Sequence, residues 1–268
     1  MLGHTIPGVR CWLGALRTTV VTIVAGGVLL VAADPTLAAP QGMDSNITWL
    51  KPPVPRPAPH DSVRGAPDRS AFTLVDLSDG ATVHAWPGGP SIGWLDGATQ
   101  LGYPSWVWAL NTARGGRWAR VLLPWRPNGR SGWVALAGRR VERTTWSVDV
   151  DLSRRRLLLL NRGTPVTQFE AGIGASASPT PTGRFFVTDL VVTGDPDGPF
   201  GWFALGLSGH QPNLPAGWGG GDQLAIHGTN QPSTIGAAAS AGCVHVSARA
   251  LSVLRAHLQL GSPVLIHA

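Results

Sequence analysis

The sequence predicts a mainly β (α+β) fold made of two successive β units, with one clear helix near the C-terminus. Glycine (35 residues) and proline (23 residues) are both abundant, which favours turns and short strands over long helices. Short apolar stretches alternate with turn-forming clusters through the chain after residue 70. Hydrophobic residues make up 43% of the chain, which is enough to form a sizeable core.

The N-terminal residues 1–38 are predicted to be an export segment. Arg10 and Arg17 precede an uncharged apolar run, residues 18–33, and the small residues that follow fit cleavage after Ala38. An uncleaved membrane anchor is the alternative, although the run is shorter than the ~20 residues that span a bilayer. Either way, the rest of the chain is expected in the extracytoplasmic cell wall or periplasm. It is expected to contact the membrane only through the N-terminal segment, if that segment stays uncleaved.

Two regions follow the export segment. Residues 39–70 are predicted to be a Pro-rich linker that lacks hydrophobic periodicity. Residues 71–145 are predicted to be a small β-barrel, because apolar stretches such as SWVWAL and RWARVLLPW are separated by the turn clusters PGGP, ARGG and RPNGRSG. Eight tryptophans lie between Trp86 and Trp146. Most are expected to fill the core, and the alternative is that some line a groove for a glycan or a peptide.

Residues 146–268 form the second predicted unit. In WSVDVDL, valines alternate with aspartates, which indicates a half-buried strand. The stretches LLLL, VTQFEAGIG, RFFVTDLVV and VLIH predict further strands. Before the last strand, Ser247 is expected to cap a helix that carries leucines on one face and ends at Gly261.

The chain has two cysteines, Cys11 and Cys243. If the export segment is removed, Cys243 is left without a disulfide partner in an oxidising compartment. A leftover cysteine in an exported chain suggests either intermolecular pairing or a reactive thiol. A buried apolar cysteine is equally common, so the count alone leaves both readings open.

The residues that suggest chemistry are concentrated in AIHGTNQPSTIGAAASAGCVHVS, residues 225–247. His227 and Cys243 are sixteen positions apart. A thiol attacks carbonyls as the thiolate, and a nearby imidazole can take its proton. Gly242 permits close approach of a substrate to the backbone and a turn whose amides face a developing oxyanion. Ser240 would add a hydroxyl at the same rim.

This segment resembles the catalytic motif of the L,D-transpeptidase (YkuD-type) family. Residues 227–229 match its His-Gly-Thr turn, and residues 240–244 match its Ser-x-Gly-Cys sequence with the apolar residue that follows. Upstream, TPTGRFFV resembles the family's Thr-Pro-x-Gly strand entry, and DLSRRRLLLLNRG resembles its opening hairpin. The resemblance covers residues 146–268. In the preceding unit, LPWRPNGRSGWV is similar to the bacterial SH3-like modules that often precede this catalytic domain.

The resemblance implies a YkuD-like β-sandwich catalytic domain with one or two helices, preceded by a small SH3-like β-barrel. It implies that Cys243 is the acylated nucleophile and His227 the general base, with the Gly228 carbonyl orienting the imidazole ring. The amides of Gly242 and Cys243 would bind the oxyanion. Three further side chains are expected to contact substrate: Thr229, Ser240 and His245.

Two positions depart from the family pattern. Ala241 stands where many members have a histidine directly before Gly-Cys, and His245 stands where arginine or asparagine is usual. Because the resemblance assigns the base to His227, activity is expected, with altered substrate contacts. His245 either hydrogen-bonds a substrate or a loop and makes the activity sensitive to pH, or merely packs there, and both readings stay open.

The expected reaction is acyl transfer on peptidoglycan stem tetrapeptides through a Cys243 thioester, which crosslinks the cell wall. The alternatives are an L,D-carboxypeptidase that uses water as the acceptor and a non-catalytic wall-binding protein. Carbapenem inhibition is also expected from the resemblance. No cofactor or metal site is predicted, since no His/Cys/Asp/Glu spacing suggests zinc and no phosphate-binding glycine pattern follows a strand. The formal net charge of +6 suits anionic wall polymers, and no nucleic-acid motif accompanies it.

Overall fold

Strands in three β-sheets make up most of the regular structure of the described residues. The computed structural model describes residues 71–215, 217 and 221–268, which all lie within one compact unit of the chain. The strands are accompanied there by one α-helix and one short 3-10 helix, so the mainly β prediction is confirmed. The predicted export segment and linker, residues 1–70, lie outside the described residues.

The first sheet contains seven strands, and each neighbouring pair is antiparallel. The strands are β1 (Phe72–Asp76), β2 (Ala81–His84), β3 (Ser91–Leu95), β4 (Trp106–Ala113), β5 (Trp118–Leu122), β6 (Ser131–Ala135) and β7 (Val141–Thr144). They pair in the order β3-β2-β6-β5-β4-β1-β7. This sheet occupies the region expected to be SH3-like, and its SH3-like character stays a prediction.

Aliphatic side chains, rather than tryptophans, fill the interior of this first sheet. Val75, Val83 and Val121 are fully buried and belong to one apolar cluster. In contrast, Trp86 and Trp94 are 57% and 56% exposed, and the other described tryptophans are half-buried. The expectation that most tryptophans form the core is therefore wrong. A half-buried indole covers apolar neighbours with its ring while its N–H stays near polar partners or water.

The second part of the chain forms the two remaining sheets. Its strands are β8 (Trp146–Asp151), β9 (Arg156–Asn161), β10 (Thr164–Glu170), β11 (Ile173–Gly174), β12 (Gly183–Val192), β13 (Phe203–His210), β14 (Gln223–His227), β15 (Ala238–Ser240), β16 (Val244–His245) and β17 (Pro263–His267). Strands β11 and β15 pair in parallel as a small separate sheet. The other eight pair in the order β10-β9-β8-β17-β12-β13-β14-β16.

Two neighbouring pairs in the eight-stranded sheet are parallel, β17 with β8 and β14 with β16. The first pair places the C-terminal strand in the middle of the sheet, between β8 and β12. The second places the short strand β16 at the edge, beside β14. Because β16 has only two residues, the loop before it ends close to β14 and the helix after it begins close to β14.

The α-helix in the described residues, α1, spans Ala248–His257. The Ser247 hydroxyl caps it by accepting a hydrogen bond from the amide three residues on, at 3.2 Å. The helix buries an apolar face that includes Leu251 against the core of the eight-stranded sheet. It ends earlier than the predicted stop at Gly261, because the backbone of Leu258 is already extended. Within the described part of the chain, no helix is long and apolar enough to cross a membrane.

Strand β12 is buried on both faces and joins the two large sheets. Phe185 and Val187 belong to the core of the eight-stranded sheet, whereas Phe186 between them belongs to the core of the seven-stranded sheet. This division follows from the alternation of side chains along a strand. A smaller apolar cluster around Tyr103 and Val191 extends the contact. Neither large sheet therefore has a complete core without the other.

A buried carboxyl group adds polar contacts between the same two sheets. Asp189 on β12 is fully buried. It accepts hydrogen bonds from Thr99 Oγ1 at 2.5 Å and from Gln223 Nε2 at 2.8 Å. Thr188 Oγ1 donates a third at 2.7 Å. These donors offset the cost of removing the group from water. They also connect the loop between β3 and β4 to β14, the strand that carries His227.

Candidate active site

The parallel pairing of β14 and β16 brings the two candidate reacting residues to one face of the sheet. Ile226 lies opposite Val244, and His227 lies opposite His245. Because side chains alternate between faces along a strand, Cys243, one residue before β16, falls on the same face as both histidines. The rings of His227 and His245 are 4.7 Å apart between centroids. This strand pairing thus brings together His227 and Cys243, which are sixteen positions apart in the sequence.

His227 lies at the end of β14 and is only 4% exposed. Its Nδ1 is 2.5 Å from the carbonyl oxygen of Gly228. Since a carbonyl oxygen can only accept, Nδ1 carries the proton and donates it. The Nε2 of the neutral ring is then left as a proton acceptor. The contact is the one expected for Gly228 from the sequence.

The loop between β12 and β13 packs over the imidazole of His227. The ring of Phe200 meets it edge to face, with centroids 4.9 Å apart. A Cβ on Gly201 in this loop would lie 2.9 Å from the Cα of Gly228, and Gly201 has φ +63°, so this close backbone contact favours glycine at position 201. Burial, assisted by the neighbouring His245, lowers the pKa of His227 to about 3. The ring is therefore neutral near neutral pH.

Cys243 is half-buried and directly precedes β16. Burial raises the pKa of its thiol to about 11, and a hydrogen bond with the backbone of Ala225 acts in the opposite direction. With the pKa of the His227 imidazole at about 3, the proton stays on sulfur in the resting site. Charge separation between the two groups must therefore be stabilised by what binds there or by the reaction itself.

Ser240 and Gly242 hold the loop that precedes the thiol. The Ser240 hydroxyl accepts a hydrogen bond from the Gly242 N–H at 3.1 Å and donates one to the Cys243 carbonyl at 2.6 Å. The hydroxyl is thus engaged within the loop, and a contact between Ser240 and a substrate stays a prediction. The Gly242 amide is engaged as well in the resting site. Its role as an oxyanion donor, like that of the Cys243 amide, stays a prediction.

A buried glutamine that sequence reasoning missed packs against this loop. Gln211 follows β13 and is 4% exposed. Its Nε2 lies 3.2, 3.0 and 3.2 Å from the carbonyl oxygens of Ser178, Pro179 and Ala241. A Cβ on Gly242 would meet this nitrogen at 2.1 Å, and Gly242 also has φ +124°. Only glycine fits at that position, for both reasons.

The other two expected substrate contacts take part in local hydrogen bonds. Thr229 Oγ1 accepts from the Gln231 N–H at 2.9 Å and closes a turn. Thr234 Oγ1 donates to the Gln231 carbonyl at 2.8 Å and lies 2.9 Å from His245 Nδ1. His245 Nδ1 is therefore protonated and donates to Thr234, and burial lowers the pKa of this histidine. Direct contact of Thr229 or His245 with a substrate stays a prediction.

Three residues that contact the site were not candidates from the sequence: Phe200, Gln211 and Thr234. Phe200 carries a weak signal, because proline and glycine flank it in a turn sequence. Gln211 and Thr234 lie in loops that reach the site through the order of the strands, which local spacing does not encode. Among the described residues, no group of three or more His, Cys, Asp or Glu is arranged to hold a metal ion.

Residues 145–266 match the model of the YkuD family, described as the L,D-transpeptidase catalytic domain. The match includes His227 and Cys243 and nearly all of the eight-stranded sheet. This part of the chain is a YkuD L,D-transpeptidase catalytic domain. The family resemblance of the sequence is thereby confirmed, and the YkuD domain holds both candidate reacting residues.

Two curated relatives are similar to the YkuD domain. It is 31% identical to the putative L,D-transpeptidase YkuD of Bacillus licheniformis over 121 residues. These aligned residues cover 45% of this chain and 65% of that protein. It is 27% identical over 122 residues to the Bacillus subtilis protein of the same name, covering 46% and 66%. The chain thus spans about two thirds of the length of these relatives. A solved L,D-transpeptidase from Mycobacterium smegmatis is 17% identical with a TM-score of 0.36, covering 75% of this chain and 83% of that one.

Proposed function

We propose that this protein is a cysteine-dependent L,D-transpeptidase that acts on peptidoglycan stem peptides. The observation that carries the proposal is the pairing of β14 with β16, which sets Cys243 and His227 on one face. The hydrogen bond from His227 Nδ1 to Gly228 leaves Nε2 as the proton acceptor. A thiol on the same face as such an acceptor is suited to nucleophilic acyl transfer. The YkuD match supports stem peptides as the substrate class.

In the first step, Cys243 Sγ attacks an L,D peptide carbonyl of a stem tetrapeptide. The S–C bond forms, the carbonyl oxygen becomes an oxyanion, and the thiol proton passes to His227 Nε2. Collapse of the oxyanion breaks the C–N bond. The terminal D-residue leaves as an amine that takes the proton from His227. The product is a thioester on Cys243.

The neutral resting pair favours proton transfer during the attack over an ion pair formed beforehand. A thiol pKa of about 11 and an imidazole pKa of about 3 keep the proton on sulfur until the S–C bond forms. Negative charge then moves to the carbonyl oxygen, where the Cys243 N–H is the proposed donor. The imidazolium of His227 keeps its hydrogen bond to the Gly228 carbonyl, which stabilises the transient charge.

In the second step, an amine of a neighbouring stem attacks the thioester. His227 accepts the amine proton and returns it to sulfur as the C–S bond breaks, which forms the crosslink and restores the thiol of Cys243. Water in place of the amine gives the L,D-carboxypeptidase reaction. The export segment predicted at residues 1–38 supports a reaction outside the cytoplasm, where the seven-stranded sheet is proposed to serve as an SH3-like unit that binds or supports the wall-directed domain.

Product analysis tests this proposal. The purified protein is incubated with disaccharide-tetrapeptides, with and without an added amine acceptor, and the products are identified by mass spectrometry. Loss of the terminal D-residue together with a new crosslink is the expected result. Loss of that residue alone, at the same rate with and without the amine, identifies a carboxypeptidase. Cys243→Ala is expected to abolish turnover and Cys243→Ser to be nearly as damaging, since a hydroxyl is far less acidic than a thiol.

Carbapenem acylation is a second test of the same site. A strained β-lactam carbonyl presents the same kind of electrophile as the stem peptide, so a stoichiometric adduct is expected on the peptide that contains Cys243. The adduct should be absent in Cys243→Ala and slower to form in His227→Ala. A folded protein whose Cys243 reacts with small thiol reagents, but with no carbapenem and no stem peptide, would replace this proposal with the non-catalytic wall-binding reading.

A further inference from the structure

We infer that Gln211 is a positioning residue for the loop that precedes Cys243, and that the seven-stranded sheet sets the position of Gln211. Two adjacent residues carry the inference. His210, the last residue of β13, contacts the loop between β5 and β6. Gln211 contacts Ala241 and Gly242 in the segment of residues 240–242, which we call the nucleophile loop. The inference rests on the proposed function, because the nucleophile loop matters through the reaction of Cys243.

The side chain of Gln211 has all of its polar atoms engaged. Its Nε2 donates toward three carbonyl oxygens at 3.0 to 3.2 Å, and its Oε1 accepts from the Asn213 N–H at 3.0 Å. Because carbonyl oxygens only accept, the nitrogen of the amide must face them, which fixes the orientation of the group. A buried amide with this many partners cannot rotate without leaving polar groups unpaired, so it is a rigid support.

Gln211 acts on the backbone of the nucleophile loop at two successive residues. It donates to the Ala241 carbonyl at 3.2 Å, and its Nε2 occupies the space where a side chain of Gly242 would be. Ser240 adds two hydrogen bonds, one from the Gly242 amide and one to the Cys243 carbonyl. The path of the backbone into Cys243, and with it the direction of the thiol and the amide, therefore depends on Gln211 from one side and Ser240 from the other.

The loop between β5 and β6 of the seven-stranded sheet holds the residue before Gln211. The Asn128 side chain hydrogen-bonds both backbone groups of His210, as a neighbouring strand would. Asn128 Nδ2 donates to the His210 carbonyl at 2.7 Å, and Asn128 Oδ1 accepts from the His210 N–H at 2.8 Å. The His210 ring also contacts this loop, with Nε2 3.1 Å from the Pro124 carbonyl. Two hydrogen bonds to one backbone residue fix its position and its orientation.

Asp222 also holds His210 and Gln211 in place, and is itself bonded to the seven-stranded sheet through Arg126. Its carbonyl accepts from the Gln211 N–H at 2.7 Å, and its carboxylate accepts from Arg126 Nε at 2.7 Å and lies 3.1 Å from His210 Nδ1. Burial would raise the pKa of Asp222, but the hydrogen bonds from Arg126 and His210 outweigh it and lower the pKa. The backbone of Gln211 is thus held by residues that the seven-stranded sheet itself holds.

The expected consequence is a defect in rate rather than in substrate affinity. Displacing a reacting group by ~1 Å can cost on the order of 100-fold in rate. Gln211→Met keeps the length of the side chain and removes its hydrogen bonds, so we expect kcat for acylation of Cys243 to fall by about tenfold, with KM within about twofold. Gln168→Met on the exposed edge of β10 is the matched control, with turnover unchanged.

A double-mutant cycle tests whether the seven-stranded sheet acts through Gln211. Asn128→Ala in the otherwise unchanged protein is expected to lower kcat by about threefold to tenfold, since coupled neighbours in one hydrogen-bond network interact. In the Gln211→Met background the same change is expected to have little further effect. Multiplication of the two single effects would overturn the coupling, and so would an Asn128→Ala protein with unchanged kcat.

Hydrogen exchange of the segment around residues 238–245 provides a readout that does not depend on turnover. Faster exchange there is expected in Gln211→Met and in Asn128→Ala, with thermal midpoints showing that both proteins remain folded. If wild-type protein forms no acyl product but exchange responds this way, the proposed function fails and the positioning role stands. Unchanged exchange and unchanged kcat in Gln211→Met overturn the positioning role. If Gln211→Met does not fold, the Asn128→Ala comparison alone decides.

Discussion

The two large sheets use their polar side chains in opposite ways. In the eight-stranded sheet, the buried His227 lies at the end of β14, next to β16 and on the same face as Cys243. The seven-stranded sheet has an aliphatic interior, and its loops direct hydrogen bonds to the other sheet, from Thr99 to Asp189 and from Asn128 to the backbone at the end of β13. One region carries the reacting groups, and the other holds the strands that position them.

Because its loops hold strands that position the reacting groups, the first sheet is part of the structural support of the site. It receives Phe186 from β12 into its own core and covers the fully buried Asp189. An isolated fragment of residues 146–268 would expose both of these side chains to water, so we expect it to lose stability and, with it, most of its turnover.

The largest expected effect tests whether the reacting groups all lie in the YkuD domain. His227→Ala is expected to lower kcat on the order of 10²- to 10⁴-fold, because it removes the base. His84 in the seven-stranded sheet offers a matched control, since its Nδ1 is likewise bonded to a backbone carbonyl, that of Gly89, at 2.7 Å. His84→Ala should leave turnover unchanged in the assay with disaccharide-tetrapeptides.

Two results would contradict this first prediction. If the native protein is inert and Ala241→His switches activity on, then the base has been assigned to the wrong position. The division between the sheets fails instead if His84→Ala is as damaging as His227→Ala while both proteins remain folded.

The second prediction concerns the shared core. Phe186→Ala is expected to cost about 3–5 kcal/mol of stability, as for other large buried side chains. Because Phe186 comes from β12 but packs in the core of the seven-stranded sheet, both sheets should unfold in one transition at a lower urea concentration. Tryptophan fluorescence and near-ultraviolet circular dichroism can follow it. Two separate transitions, only one of them shifted, would show that the sheets fold independently.

Prediction from the sequence works best where the chemistry is local. The His-Gly-Thr and Ser-x-Gly-Cys motifs identify His227 and Cys243 and the contact between His227 and Gly228, because neighbours in the chain are neighbours in the site. The strand patterns succeed for a related reason, since alternation over five to eight residues reflects the faces of a single strand. Both kinds of signal need no knowledge of how the sheets pack together.

Prediction fails where contacts join distant parts of the chain. Gln211 meets Ala241 thirty positions later, and Thr99 meets Asp189 ninety positions later. No local spacing encodes such pairs. The burial of the tryptophans was predicted wrongly for the same reason. Part of the interior of the seven-stranded sheet is filled by Phe186, which comes from β12 of the eight-stranded sheet.

The third prediction concerns acid sensitivity, which should originate in the YkuD domain. Burial lowers the pKa of His227 from its usual 6.5 to about 3, so below pH 6.5 the unfolded chain binds a proton that the folded chain does not. Stability is therefore lost as the pH falls from 6.5 towards 3, by at most about 1.4 kcal/mol per pH unit for this residue. The lowered pKa of His245 acts in the same direction, and the raised pKa of His267 acts in the opposite one.

His227→Phe isolates the contribution of this one imidazole. Urea midpoints measured at several pH values between 7 and about 4.5 should fall less steeply in the variant than in wild type. Parallel pH dependences in the two proteins would mean that His227 is protonated as readily in the folded state as in the unfolded state, and that it is not buried in the way described.

The smallest expected effect lies on the outer surface of the seven-stranded sheet. Trp94 is 56% exposed, and its ring lies over Gly80, where a Cβ would meet it at 2.2 Å. Exposed positions usually change stability by about 0.5 kcal/mol or less, so Trp94→Ala should leave the urea midpoint and the turnover of soluble donors nearly unchanged. The same variant tests the glycan groove that the sequence left open, because an exposed indole on such a groove would contribute to retention on purified sacculi.

Weaker retention with normal turnover would assign wall contact to this sheet and chemistry to the other. Unchanged retention would remove Trp94 from any wall contact, and a tenfold loss of turnover would show that the two sheets do not divide their roles as proposed.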